Sequence, residues 1–234
     1  MIGNTAPLRI HWTLLEANES VPERWTATLS PEERQRLASV RHHAARANFV
    51  AGRALLRAGL SALYGVHNAT VQVDARGKPR LHNGLISFSL SHTRGGIVVA
   101  FAECAELGVD IESQDRVVDH EGVARRVFVE TERDWMHRGT LPHRFAALWT
   151  LKESHMKARG MGFGLDPRSF AFGWERSTPR LIWSRDRLDG DWLYDSLQVG
   201  RWQIGLTVHH GSLGSGVELR RYDAEQLLDH LPVR

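Results

Sequence analysis

Two short strings of this chain carry acids and bases at spacings suited to phosphate chemistry. Residues 149 to 160 read Trp-Thr-Leu-Lys-Glu-Ser-His-Met-Lys-Ala-Arg-Gly. Positions four apart share a helix face, so Trp149, Glu153 and Lys157 form one row in which an acid and a base point the same way. Upstream, Gly-Val-Asp-Ile-Glu at 108 to 112 reads as a strand, where alternate residues share a face and Asp110 and Glu112 project together. Two carboxylates about 7 Å apart repel by about 2 kcal/mol at an effective dielectric of roughly 20, and a bound cation turns that cost into attraction. Oxygen donors favour magnesium, with manganese as the alternative. A lone Glu-Lys pair or a lone Asp-x-Glu describes many solvated faces. Here both strings are embedded in apolar residues: Phe145, Leu148 and Trp149 near the helix, Leu107, Val109 and Ile111 along the strand. A charge set among such neighbours needs a partner.

These groups must be positioned by regular elements, and the pattern supplies them. Leu8, Ile10, Trp12 and Leu14 alternate with polar residues, as in a half-buried strand. Ser30-Pro31-Glu32-Glu33 carries a capping box with proline at the first helical position. After a break near 41 to 43, an Ala-rich helix is expected over 44 to 64, ending at Gly65. Strand patterns follow at 70 to 74, 85 to 91 and 96 to 102, and another ends in the Asp110-Ile111-Glu112 string. In the second of these, Ile86, Phe88 and Leu90 alternate with Ser87, Ser89 and Ser91, giving one apolar and one hydroxylic side. Helices are expected over 119 to 138 and 142 to 160, and strands near 169 to 174, 180 to 184, 191 to 199, 201 to 208 and 216 to 221. A long helix followed by a run of strands thus occurs twice. The expectation is an α+β protein of two similar subdomains, 1–106 and 107–234, each a long helix packed on a mainly antiparallel sheet.

The 234 residues hold 30 Lys and Arg against 27 Asp and Glu and are 42% hydrophobic, enough for a sizeable core. The longest apolar run, Ile97 to Ala102, is too short to cross a bilayer. The first residues lack a basic stretch followed by an apolar one. The single cysteine, Cys104, excludes an internal disulfide and reads as packing. A cytoplasmic protein without membrane contact is expected. Arginines clustered between 34 and 57 suggest a basic face with an acidic partner.

The basic segment with Arg36, the turn Arg76-Gly77-Lys78-Pro79, the string Phe88-Ser89-Leu90-Ser91-His92 and the two acidic strings occur in one order. In that combination the chain resembles the 4′-phosphopantetheinyl transferases of the larger, surfactin-synthetase-activating type, with motifs from Leu29 to Gly164. The resemblance implies transfer of the phosphopantetheine arm of coenzyme A to a serine of an apo carrier protein, with release of 3′,5′-ADP. It implies that Asp110, Glu112 and Glu153 hold Mg2+, that Lys157 contacts the pyrophosphate, and that Glu153 is the candidate base. Ser91 and His92 would contact phosphates, Arg76, Gly77 and Lys78 would cradle the nucleotide, and Arg36 would lie near the 3′-phosphate. Asp110 would belong to the coenzyme A site as well. Relatives are more aromatic and acidic where this chain has Arg41 to Arg46, which leaves Arg36, Arg41, Arg46 and Arg53 all open as the 3′-phosphate anchor. The resemblance also implies an acidic helix on the carrier, for which Val117 to Arg138, with Arg125, Arg126, Phe128, Trp135 and Met136, is the expected docking surface. The enzyme is expected to act as a monomer.

Asp-x-Glu with a later Glu-x-x-x-Lys also suits a metal-dependent nuclease or phosphohydrolase. A nucleic-acid-binding module leaves the acidic strings idle, and no motif of such a module is present. The glycines at 160 to 164 lack the Gly-Lys-Ser/Thr of a phosphate-binding Walker loop.

Overall fold

A computed structural model of the chain describes residues 8–16, 20–82, 84–103, 105–210 and 217–232. Cys104 and residue 216 of the last expected strand lie outside the described residues. The chain begins with β1 (Leu8–Glu16), α1 (Glu23–Ala27), α2 (Pro31–Ser39) and the long α3 (His43–Tyr64). It continues through β2 (Val71–Val73), β3 (Pro79–Leu81), β4 (Ile86–Thr93), β5 (Gly96–Glu103) and β6 (Glu106–Ser113). Then come α4 (His120–Val127), α5 (Glu130–His137) and α6 (Leu141–Ala158). Last are β7 (Phe170–Glu175), β8 (Thr178–Ser184), β9 (Asp191–Val199), β10 (Trp202–His210), β11 (Val217–Asp223) and α7 (Ala224–Leu228).

Local chemistry explains the ends of the first helices. Ser30 accepts the Glu33 N–H while the Glu33 carboxylate accepts the Ser30 N–H, so two orphan donors of α2 are satisfied reciprocally. Gly65, at φ 65°, closes α3 in the left-handed conformation that glycine adopts without strain. The helix expected over 119 to 138 is instead two helices, because Phe128 and Val129 are extended. Phe128 turns into the core there, and the Glu132 carboxylate caps α5 by accepting the Val129 N–H.

Two sheets form the middle of the molecule, in the orders β11-β1-β5-β4 and β6-β10-β9, while β2-β3 and β7-β8 are separate hairpins. Every pairing is antiparallel except β1 with β11. Ile10, Trp12, Val98 and Ala100 of the first sheet pack against Val109, Ile111, Ile204 and Leu206 of the second. The opposite face of the first sheet, with Ile97, Val99 and Phe101, packs on Leu55, Leu56 and Leu60 of α3. Strand β5 is therefore buried on both sides, which accounts for its continuous apolar run. Burial of each such Leu, Ile or Phe contributes about 1.5–3 kcal/mol.

Helix α6 covers the outer face of the second sheet at backbone distance. A Cβ on Gly108 would collide with the Ser154 carbonyl, and one on Gly205 with the Thr150 carbonyl. The result is the expected α+β arrangement of helix on sheet, twice. Strand β6 starts at Glu106, and the second sheet is built from there as far as β10. Strand β11 then returns to the first sheet and α7 packs against α3.

Candidate active site

The site lies where β4, at the edge of the first sheet, meets β6, at the edge of the second. Small glycine-sided packing brings α6 onto β6, so Glu153 and Lys157 come to the strand face that carries Asp110 and Glu112. The Lys157 ammonium donates to Asp110 Oδ1 at 2.7 Å and to the Val109 carbonyl at 3.1 Å. An ammonium has three protons, and one remains for a ligand in the cleft that Lys157 lines.

Each carboxylate has a distinct environment. Asp110 is 6% exposed; its Oδ1 also accepts from the Ser91 hydroxyl at 2.7 Å, whereas its buried Oδ2 has no hydrogen-bond partner. Glu112 accepts from Thr93 Oγ1 at 3.0 Å on one oxygen and from Arg116 Nη1 at 2.9 Å on the other. Desolvation raises the pKa of Glu112, a rise that Arg116 opposes and Asp110 reinforces. Glu153 is pushed up to about 7, first by desolvation and then by the Asp110 charge, against the pull of Lys157. An orphaned buried carboxylate oxygen beside an acid held near neutrality is what a cation site looks like when negative charge is in excess. Among the described residues, no three His, Cys, Asp or Glu side chains form a ready-made metal cage. The expected set of three carboxylates from two elements is an open one, which leaves room for phosphate oxygens and water.

Beside these groups runs a cleft of about 300 Å3, bounded by Arg36, Asn48, Phe49 and Arg53 of α2 and α3, the 76–79 turn, β4 from Phe88 to Leu90 with His92, and Lys157. The structure separates the four open arginines. Arg36 and Arg53 line the cleft, their guanidiniums on the Phe49 ring at 5.8 and 5.3 Å. Arg46 instead donates to the Leu37 and Val40 carbonyls, and Arg41 is exposed away from the cleft lining. Glu33 anchors Arg53 at 3.0 Å and the buried Arg57 at 2.5 Å, so the basic face expected from the 34–57 cluster is partly an internal network.

His92 opens into the cleft, yet the enclosing protein and then the Lys157 charge lower its pKa. The remaining expected contacts differ in kind. Ser91 is 7% exposed and spends its hydroxyl on Asp110. Lys78 borders the cleft, but its ammonium is bound to Glu106 at 2.6 Å and to the Ala158 carbonyl at 2.9 Å, tying the turn to the end of α6. Arg76 reaches the Arg159 carbonyl at 3.5 Å from the same turn, and Gly77 lets that turn adopt φ 87°.

On the far side of Glu112, a shallow apolar groove of about 70 Å3 runs past Val118, Val123, Phe145 and Trp149. Arg125 and Arg126 are exposed on the neighbouring α4. Phe128 and Met136, expected on a docking surface, are instead fully buried, and Trp135 is stacked on Trp174 at 3.7 Å with Arg144 over it. Thr93, Arg116 and Glu33 escaped the reading of the sequence. The signal for Thr93 was the alternation of Ser87, Ser89 and Ser91, which continues one step further.

The α+β fold thus sets the acids Asp110, Glu112 and Glu153 beside a cleft walled by arginines. The superfamily model of 4′-phosphopantetheinyl transferases matches residues 106–207, and the model of the 4′-phosphopantetheinyl transferase N-terminal domain matches residues 32–102. The chain belongs to the 4′-phosphopantetheinyl transferase superfamily. It is 33% identical over 160 residues to the 4′-phosphopantetheinyl transferase HetI of Nostoc sp., covering 63% of this chain and 66% of that one. It is 30% identical over 185 residues to a phosphopantetheinyl transferase of Thraustochytrium sp., covering 70% and 64%. The 4′-phosphopantetheinyl transferase Sfp of Bacillus subtilis is 27% identical over 155 residues, covering 64% and 68%. The chain thus spans just under two thirds of the length of the first two relatives. Among solved structures, the holo-[acyl-carrier-protein] synthase of Neisseria meningitidis matches with a TM-score of 0.41 at 16% identity, over 45% of this chain and 97% of that one. The nuclease alternative finds no support among these comparisons. No helix among the described residues is long and apolar enough to cross a membrane.

Proposed function

We propose that this chain transfers the 4′-phosphopantetheine arm of coenzyme A to a serine of an apo acyl or peptidyl carrier protein, releasing 3′,5′-ADP. The observation that carries the reading is the meeting of Lys157, Glu153 and the free Asp110 Oδ2 with a cleft walled by Arg36 and Arg53. One end of the site suits a pyrophosphate, the other a phosphorylated nucleotide. Under this reading the N-terminal subdomain, 1–106, grips the nucleotide and the C-terminal subdomain, 107–234, carries the metal ligands and the catalytic helix.

In this reading Arg36 and Arg53 bind the 3′-phosphate, and the 76–79 turn borders the nucleotide. His92, neutral near pH 7 because its pKa is lowered, donates a hydrogen bond to phosphate. The free proton of Lys157 meets the pyrophosphate and steadies charge developing there. Asp110, Glu112 and Glu153 would hold Mg2+ or Mn2+, which would neutralise charge on the phosphate oxygens. The carrier serine oxygen forms a bond to the β-phosphorus as the bridging P–O bond of the pyrophosphate breaks. The serine proton passes to Glu153, directly or through water, and the electron pair leaves with 3′,5′-ADP. The exposed Arg125 and Arg126 of α4 attract the acidic helix of the carrier. In this reading both subdomains of one chain supply the site and the enzyme works as a monomer in the cytoplasm.

The test is mass spectrometry of apo carrier proteins from fatty acid, polyketide and nonribosomal peptide systems incubated with the enzyme, coenzyme A and Mg2+. A gain of the phosphopantetheine mass is expected on at least one. No gain on any carrier, with folded enzyme, overturns the reading.

A further inference from the structure

Strands β4 and β6 belong to different sheets, and each pairs through its backbone with a strand of its own sheet. Side-chain hydroxyls join them instead. Residues 89, 91 and 93 of β4 fall on one face, since alternate residues of a strand do so. Ser89 Oγ accepts the Val109 N–H at 2.9 Å, Ser91 Oγ donates to Asp110 Oδ1 at 2.7 Å, and Thr93 Oγ1 donates to Glu112 Oε2 at 3.0 Å. Ser89 and Ser91 are 8% and 7% exposed, so their bonds are shielded from competing water, and Thr93 is half-buried. The three bonds advance together along both strands, like the rungs of a ladder made of side chains.

We infer that this row sets the register of the acid pair, and that Thr93 is a positioning residue for the cation-binding pose of Glu112. The inference rests on the transferase reading. Asp110 has a second restraint in Lys157, whereas among the described residues Glu112 is held by Arg116 besides Thr93. Arg116 is 56% exposed and lies four residues along from Glu112. A long arginine in water holds a carboxylate weakly. Removing the threonine hydroxyl therefore leaves Glu112 to follow Arg116. Valine keeps the β-branched shape of threonine and lacks the hydroxyl, so the change isolates that donor.

The test measures Mn2+ binding by electron paramagnetic resonance, with coenzyme A present and no carrier protein, on the wild-type chain, Thr93→Val and Thr93→Ser. Partners that orient ligand side chains change metal affinity by about 10–100-fold when removed. A Kd for Mn2+ raised about tenfold is expected in Thr93→Val, with Thr93→Ser within about twofold of wild type, since serine restores the donor. The melting temperature without metal should stay close to wild type in both variants, which separates positioning from general stability. Should Thr93→Val fail to fold, Thr93→Ala is judged by the same Kd. A folded variant lacking the hydroxyl that binds Mn2+ as tightly as wild type overturns this inference and leaves the transferase reading standing. A wild-type chain that binds no Mn2+ in the presence of coenzyme A overturns both.

Discussion

Replacing Glu153 with glutamine should stabilise the metal-free protein while destroying its activity. The Glu153 carboxyl is raised from 4.5 to about 7 by desolvation and by Asp110. Below pH 4.5 it is protonated in both the folded and unfolded chains. Between there and about pH 7 the unfolded chain releases its proton while the folded one keeps it, so stability falls with rising pH across that window. A rise of about 2.5 corresponds to about 3 kcal/mol at 1.36 kcal/mol per pH unit. Solvent reaches part of the side chain, and screening roughly halves this to about 1.5 kcal/mol. For a chain of this size that corresponds to a melting temperature about 3–6 °C higher for Glu153→Gln at pH 8 in the presence of a chelator. The gain should vanish at pH 4. Turnover should fall by about 100-fold or more, and coenzyme A with Mg2+ should stabilise the wild type far more than the variant. Differential scanning calorimetry across pH 4 to 8 is the assay. Equal melting temperatures at pH 8, or a gain that does not depend on pH, would refute the reasoning.

Three other outcomes follow from particular contacts. Lys152 and Glu132 are 2% and 0% exposed and pair at 3.0 Å, so Lys152→Met should cost about 3–5 kcal/mol in urea unfolding by leaving a buried charge alone; adding Glu132→Gln should recover part of the loss, and no recovery would count against the pair. Gly108→Ala should destabilise by about 3 kcal/mol, measured the same way, because its new methyl group meets backbone atoms of Ser154 and Ala158 that belong to α6. Arg53→Gln should raise the KM for coenzyme A by about tenfold or more with kcat nearly unchanged; steady-state kinetics at saturating carrier would show an unaltered KM if Arg53 does not touch the nucleotide.

Much of this structure was legible because its signals are local. The alternation along 8 to 14 and the capping box at Ser30 each depend on neighbours a few residues away, and both elements form where that pattern puts them. Asp110, Glu112, Glu153 and Lys157 could be grouped because each string has its own period. What stayed hidden depends on partners distant in sequence. Lys78 is expected at the nucleotide and Lys152 has no assigned role, but both are buried against Glu106 and Glu132, 28 and 20 positions away. The division of the 119 to 138 segment has no glycine or proline at its break, and tertiary burial of Phe128 decides it. Helices α1 and α7 have five residues each, too few to show a helical period.

Strand β11 has a further consequence, for the order in which the molecule is made. It supplies one edge of the first sheet by running parallel to β1, and Thr13 Oγ1 donates to the Tyr222 carbonyl, a partner 209 positions later. During synthesis, residues 8 to 103 therefore wait with β1 unpaired on one side until nearly the whole chain has emerged. Closing so long a loop carries a high entropic cost and slows folding. The half of the chain made first is the one completed last.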